Sequence, residues 1–164
     1  MRYGCFSRNS QKKRTAPGAK RSYESGGRVT ELPLILVVED EYLLATDIQR
    51  ALTEVGFAAE IVSSGEEALA LLDDDKPRSV LITDIRLGGR LSGWDLARHL
   101  RVKNPSLAIV YVTANDQDWP SHGVPNSILV CKPFVPAQLI NAVSTLLNIG
   151  TPSTGHVNET ASRR

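Results

Sequence analysis

Five short apolar runs, rich in β-branched residues, recur along the chain with helical patterns between them. They are LILVV at 34–38, AAEIV at 58–62, SVLIT at 79–83, LAIVYVT at 107–113 and SILVC at 127–131. Runs that are apolar nearly throughout are what strands buried on both faces require. Between the first two, Leu44, Ile48, Ala51, Leu52 and Val55 fall at helical spacing over 42–55, and Gly56 suits the helix end. Ser64 with Glu67 three residues on forms a capping-box pattern, opening a helix with Ala68, Leu69, Leu71 and Leu72. Ser92 is placed to cap a helix through Trp94, Leu96, Ala97 and Leu100 that ends before Pro105. Segment 115–126 is interrupted by Pro120 and Pro125, which predicts a degraded fourth helix. The last helix starts near Pro136 and presents Leu139, Ile140, Val143, Leu146 and Leu147. Strands alternating with helices predict an α/β fold with a parallel sheet covered on both faces by right-handed crossovers. Ligands of such sheets bind beyond the carboxyl ends of the strands, so the strand ends are where chemistry is expected.

Those ends carry a coherent set. Glu39-Asp40 follow the first strand, Asp84 the third, Thr113 ends the fourth, and Lys132-Pro133 follow the fifth. Three carboxylates at one sheet edge repel one another unless a cation lies between them. Oxygen ligands of this kind suit Mg²⁺, which favours one or two carboxylates plus phosphoryl oxygens and keeps several waters. A lysine and a hydroxyl nearby supply charge and a hydrogen bond to phosphoryl oxygens. A carboxylate can itself be the nucleophile and form an aspartyl phosphate. Each residue alone has a plain structural reading, as a cap, a turn hydroxyl or a loop lysine. Their coincidence at strand ends favours phosphoryl transfer.

ILVVEDE, VLITDIRL, IVYVTAN and VCKPF, in this order, resemble the four blocks of the response-regulator receiver domain, and the resemblance covers 33 to about 149. It implies a flavodoxin-like doubly wound sheet of five parallel strands in the order 2-1-3-4-5. It also implies roles. Asp84 would be the phosphoacceptor. Asp40 and Asp84 would bind Mg²⁺ directly, Glu39 through water, and the backbone carbonyl of Arg86 would be a further metal ligand. Lys132 would pair with Asp84 and then with the phosphoryl group, and Thr113 would bond a phosphoryl oxygen. The implied donor is a histidine kinase or phosphotransfer protein, and the output is contact with a downstream protein. Such a chain is no enzyme, though it assists its own phosphorylation and dephosphorylation. It is expected as a monomer or a phosphorylation-dependent dimer.

The pattern also departs from the family. The family has Met-Pro three and four residues after the acceptor and Gly eight after it. Here Gly88-Gly89 fill that region and Gly93 falls nine residues on, so the loop is one residue longer. The aromatic switch position on the fifth strand falls at Leu129. These changes touch signalling more than chemistry. The alternative is a pseudo-receiver acting as a phosphorylation-independent interaction module. The intact Asp40, Asp84, Thr113 and Lys132 argue against it. A phosphatase-like enzyme would need a second acid near the nucleophile, and Arg86 stands two residues on.

Charge is distributed unevenly. Residues 1–31 hold eight basic and two acidic residues, whereas 32–149 hold nine basic and fifteen acidic. The arm 1–31 and the tail 150–164 are expected to be disordered, with the receiver domain at 32–149 and no further domain after it. The basic arm permits salt-sensitive nucleic-acid binding. It lacks a folded motif and has few aromatics, so nucleic acid is not the expected partner. No apolar run approaches the roughly 18 residues of a membrane span, and the N-terminus lacks the apolar stretch of a secretory signal. A cytoplasmic protein without membrane contact is expected. Cys5 and Cys131 form no metal or disulfide pattern, and are read as an exposed tail thiol and a buried strand residue. Asp73-Asp74-Asp75 reads as a solvated helix end, His99 as a helix-surface residue and His156 as part of the tail. His122 is left open, and Trp94 is expected to pack.

Overall fold

In a computed structural model, described are 24–25, 28–29, 32–71, 74, 76–114 and 119–149. The chain divides into two units, 1–31 and 32–164. In the first, β1 (Glu24–Ser25) pairs antiparallel with β2 (Arg28–Val29). The rest of 1–31, with Cys5, and the tail 150–164, with His156, lie outside the described residues, as do Leu72, Asp73, Asp75 and 115–118.

The second unit runs β3 (Leu34–Val38), α1 (Tyr42–Glu54), β4 (Ala58–Val62), α2 (Gly65–Ala70), β5 (Arg78–Asp84), α3 (Gly93–Lys103), β6 (Ala108–Thr113), α4 (Trp119–His122), β7 (Ser127–Cys131) and α5 (Pro136–Leu146). The sheet order is β4-β3-β5-β6-β7, parallel throughout, which is the expected 2-1-3-4-5 order of its five strands. Side chains alternate across a strand, so each central strand feeds two cores. Ile35, Val37, Val80, Ile82, Val110 and Val112 meet Ile48 and Leu52 of α1 and Leu139 and Val143 of α5. Leu36, Val38, Leu81, Ile109 and Tyr111 meet Ala68 of α2 and Trp94, Leu96 and Leu100 of α3 on the other face. Each fully buried Leu, Ile or Val contributes about 2 kcal/mol by removing apolar area from water.

The ends of the helices follow their sequence signals, with differences. Gly56 has φ 94°, the left-handed conformation that closes α1 with Phe57 N–H donating to Leu52 O. The Ser64 hydroxyl accepts from Glu67 N–H, but the Glu67 carboxylate reaches Ser63 N–H at 2.9 Å and not Ser64. The box is therefore displaced by one residue. The helix it opens stops at Ala70, with Leu71 as its cap. Ser92 and Asp95 do close a reciprocal box on α3. Among the described residues the fourth helix is Trp119–His122. Cys131 corrects its expected burial: it is exposed, because it is the last residue of edge strand β7, beyond the cover of both cores. Asp74 also differs from a merely solvated acid. It pairs with Arg78 Nη1 at 2.7 Å, since Arg78 is buried at the start of β5 and needs a counter-charge. His99 is on the surface and Trp94 packs on Tyr111 with ring centroids 4.4 Å apart.

Candidate functional site

Register alone gathers the chemistry. Val38 of β3 pairs with Thr83 of β5, so Glu39 and Asp84 leave the sheet side by side. Asp84 pairs with Val112 and Thr113 with Cys131, which puts Thr113 and Lys132 at the same edge. Two backbone bonds extend the ladders past the strands: Glu39 N–H to Val62 O at 3.1 Å, and Lys132 N–H to Thr113 O at 2.7 Å. The side chains are thus held by the sheet, and rigid strand ends position groups better than loops do.

Lys132 Nζ lies 2.6 Å from Asp84 Oδ2 and 2.9 Å from Glu39 Oε2. Carboxylate oxygens of Glu39, Asp40 and Asp84 all lie within 4.8 Å of one another. Asp84 Oδ1 accepts from Arg86 N–H at 2.9 Å. Glu39 Oε1 accepts from Glu41 N–H at 3.3 Å. Glu39 is 3 % exposed, Thr113 is also buried, and Asp40 is exposed. A cavity of about 240 Å³ opens beside Glu39 and Asp40, bordered by Tyr42, Ser63 and Glu67.

The electrostatics follow from burial and pairing. Burial pushes the Glu39 carboxyl above its ordinary range, and the charge of Asp84 adds to this, against the hydrogen bond and charge of Lys132. For Lys132, burial is the largest single influence and opposes its charge. Its bonds to Asp84 and Glu39 together outweigh that, so its pKa is raised and the ammonium is retained. The site is one cation clasping two carboxylates, with a third carboxylate at its open side.

Of the expected site residues, Glu39, Asp40, Asp84 and Lys132 are brought together by their side chains; Thr113 is buried at the same sheet edge, and Arg86 reaches Asp84 through its backbone N–H. The pairing of Lys132 with Glu39 as well as Asp84 went unread, because the two residues are 93 positions apart and nothing local signals it. Gly93 proves to be part of the site's frame. A Cβ there would collide with the carbonyl oxygen of Asp84, and its N–H donates to Ile85 O at 3.0 Å. The Asp84 carbonyl also accepts from Thr83 Oγ1 at 2.8 Å.

Comparison with known proteins agrees with this geometry. The family model of the response regulator receiver domain matches residues 35–144. Response regulator MprA of Mycolicibacterium vanbaalenii is 32% identical over 124 residues, 74% of this chain and 53% of that protein. The chain therefore spans about half the length of the curated relatives it matches. The crystal structure of a response regulator receiver protein from Sinorhizobium medicae WSM419 superposes with a TM-score of 0.69 at 42% identity, covering 72% of this chain and 96% of the other. The receiver domain of the sensor histidine kinase PA1611 from Pseudomonas aeruginosa PAO1, which holds a magnesium ion in its active-site cleft, shares the fold with a TM-score of 0.63 at 24% identity, over 71% of this chain and 98% of that one. The strand order, the acidic edge with its lysine and the match over 35–144 have one common meaning: the chain belongs to the response regulator receiver domain family of two-component signalling.

Proposed function

We propose that the chain is a phosphorylation switch in which Asp84 accepts a phosphoryl group from a histidine kinase or phosphotransfer protein. The observation that carries this reading is the close set of Glu39, Asp40 and Asp84 spanned by Lys132. A carboxylate oxygen of Asp84 attacks phosphorus. The bond from phosphorus to the donor's histidine nitrogen breaks, and its electron pair leaves with the nitrogen. Lys132, already against Asp84, keeps positive charge beside the phosphoryl oxygens, and the Thr113 hydroxyl offers them a hydrogen bond.

The donor set also fits Mg²⁺. It is all oxygen, and Lys132 bridges Glu39 and Asp84 while Asp40 faces the open side. Asp40, Asp84 and the Arg86 carbonyl would hold the ion directly and Glu39 through water. When bound it would neutralise charge developing on the phosphoryl oxygens. The magnesium ion of the Pseudomonas receiver supports this reading by analogy of fold. In the proposed role the protein is not an enzyme acting on a separate substrate. It assists its own phosphorylation and dephosphorylation in the cytoplasm, and signals through a downstream protein, as a monomer or a phosphorylation-dependent dimer. Among the described residues no helix is long and apolar enough to cross a membrane.

Incubation with Mg²⁺ and acetyl phosphate, read by intact mass, tests the proposal. The native chain gains one phosphoryl group, and Asp84→Ala gains none. Chelation of Mg²⁺ abolishes uptake. A native chain that neither binds Mg²⁺ nor takes up phosphate would be a pseudo-receiver, an interaction module independent of phosphorylation.

A further inference from the structure

The loop after Asp84 is the part of the site where this chain departs most from its family, and it is fastened by an unexpected residue. Glu66 lies in the first turn of α2, behind the Ser64 cap. Its Oε1 accepts from the backbone N–H of Arg90 at 2.8 Å, across 24 positions of sequence. The N–H of Arg90 foremost, its own backbone N–H next, and that of Leu91 in smaller measure hold the Glu66 carboxyl below its ordinary range. Gly89 lies so close that a Cβ there would overlap Glu66 Oε2 and stand 3.0 Å from Cδ. One residue earlier, a Cβ at Gly88 would stand 3.3 Å from Asp40 Oδ2. On the other side of the contact, a Cβ at Gly65 would stand 2.9 Å from Leu91 Cβ. The two glycines that replace the usual sequence therefore have separate uses. Gly89 lets the Glu66 carboxylate reach the backbone, and Gly88 lets the pinned loop lie against Asp40. The far end of the loop is fixed independently, by Gly93 N–H to Ile85 O.

We propose that Glu66 is a positioning residue that sets the lifetime of the phosphoryl group on Asp84, by pinning the loop of residues 86–91 to α2 with Gly88 laid beside Asp40. The inference rests on Asp84 being the phosphoacceptor. A carboxylate bound to a backbone N–H is a charge-assisted bond, stronger than a neutral one. Pinned, the loop narrows the approach of water to the phosphoryl group; released, it opens that approach. The release can be produced from either partner. Glu66→Ala removes the acceptor, and Gly89→Ala displaces it. Glu66→Gln keeps an acceptor oxygen of the same shape.

The test uses the full chain with Mg²⁺. Each variant is phosphorylated with acetyl phosphate, freed of donor, and followed by intact mass. Amide hydrogen exchange at Arg90 and Leu91 is measured in the unphosphorylated, metal-free protein. Glu66→Ala and Gly89→Ala each shorten the phosphoryl lifetime about tenfold and speed exchange at Arg90 by a similar factor, the size expected for losing one bond to a charged group. Glu66→Gln, which keeps the acceptor but not its charge, restores part of both. An unchanged or longer lifetime in Glu66→Ala, with faster exchange at Arg90, overturns the link to the site. Unchanged exchange overturns the pin itself. If the native chain takes up no phosphoryl group, the reading of Asp84 fails first and takes this one with it, which separates the two failures.

Discussion

Gly93 shows how much a single position can hold. Its lack of a side chain is what allows the start of α3 to rest on the carbonyl of Asp84, the residue that carries the proposed chemistry. Gly93→Ala must move either the helix or the strand end. It is expected to cost about 1–3 kcal/mol, as overpacking does, and to slow phosphoryl uptake. Urea unfolding and the acetyl phosphate assay check the two effects, and wild-type values in both would remove Gly93 from the frame of the site. Lys132 shows the complementary case. It faces two carboxylates, and its bonds hold its charge against the cost of burial. Asp84, Asp40, Thr113 and Lys132 were legible in the sequence because each stands at, or within two residues of, the end of an apolar strand. The partnership of Lys132 with Glu39 was not, since only the sheet brings positions so far apart together.

At the scale of elements, the α3 cap is the best-determined helix start. Ser92 Oγ donates to Asp95 Oδ2 at 2.7 Å and accepts from Asp95 N–H at 3.2 Å. The Ser92 hydroxyl first, and Arg98 next, lower the Asp95 carboxyl from 3.8 to about 2. A depressed folded-state pKa means that this contribution is present above about pH 4 and is lost as pH falls through about 2. Acid titration of stability should therefore show a smaller loss across this window in Asp95→Asn than in the native chain. Solvent screening keeps the difference small, because the side chain is half-exposed. Ser92→Ala is expected to cost about 1 kcal/mol at neutral pH, measured by urea unfolding. Sequence located this helix well. It carried α2 past Ala70, where the helix ends, because Leu71 continues the apolar spacing although it is the C-cap. Pro120, read as an interruption, lies in the first turn of α4, where its missing N–H costs no intrahelical bond.

Among the described residues of the second unit, two networks of charged side chains stand at opposite ends of the sheet. At the carboxyl ends stand Glu39, Asp40, Asp84 and Lys132. At the start of β5, Arg78 is buried and binds Glu60 Oε2 at 2.7 Å, Asp74 Oδ1 at 2.7 Å and the carbonyl of Leu71 at 3.0 Å. Lys76 adds a bond to Glu60 at 2.8 Å. Arg78→Ala leaves Glu60 and Asp74 partly exposed with Lys76 as their remaining cation and is expected to destabilise by about 1–3 kcal/mol through the lost charged hydrogen bonds and packing of Arg78. Phosphoryl uptake should stay unchanged, because the site lies a strand's length away. Denaturant unfolding beside the acetyl phosphate assay decides this, and a loss of uptake in the folded variant would show that the two ends are coupled.

The sequence alone determined the five strands of the main sheet, their parallel alternation with helices and the edge at which chemistry collects, while the 2-1-3-4-5 order came with the family resemblance. The reason is that apolar period, caps and turn residues act within a few positions, and crossover rules then leave few ways to arrange the strands. Tertiary structure decided the rest. Register placed Lys132 between Glu39 and Asp84, close approach gave Gly93, Gly88 and Gly89 their meaning, and Glu66 found a backbone partner 24 residues away. The exposure of Cys131 was decided in the same way, by its place at the end of an edge strand. These are facts about which surfaces meet across the sheet. A chain read position by position does not contain them until the strands have paired.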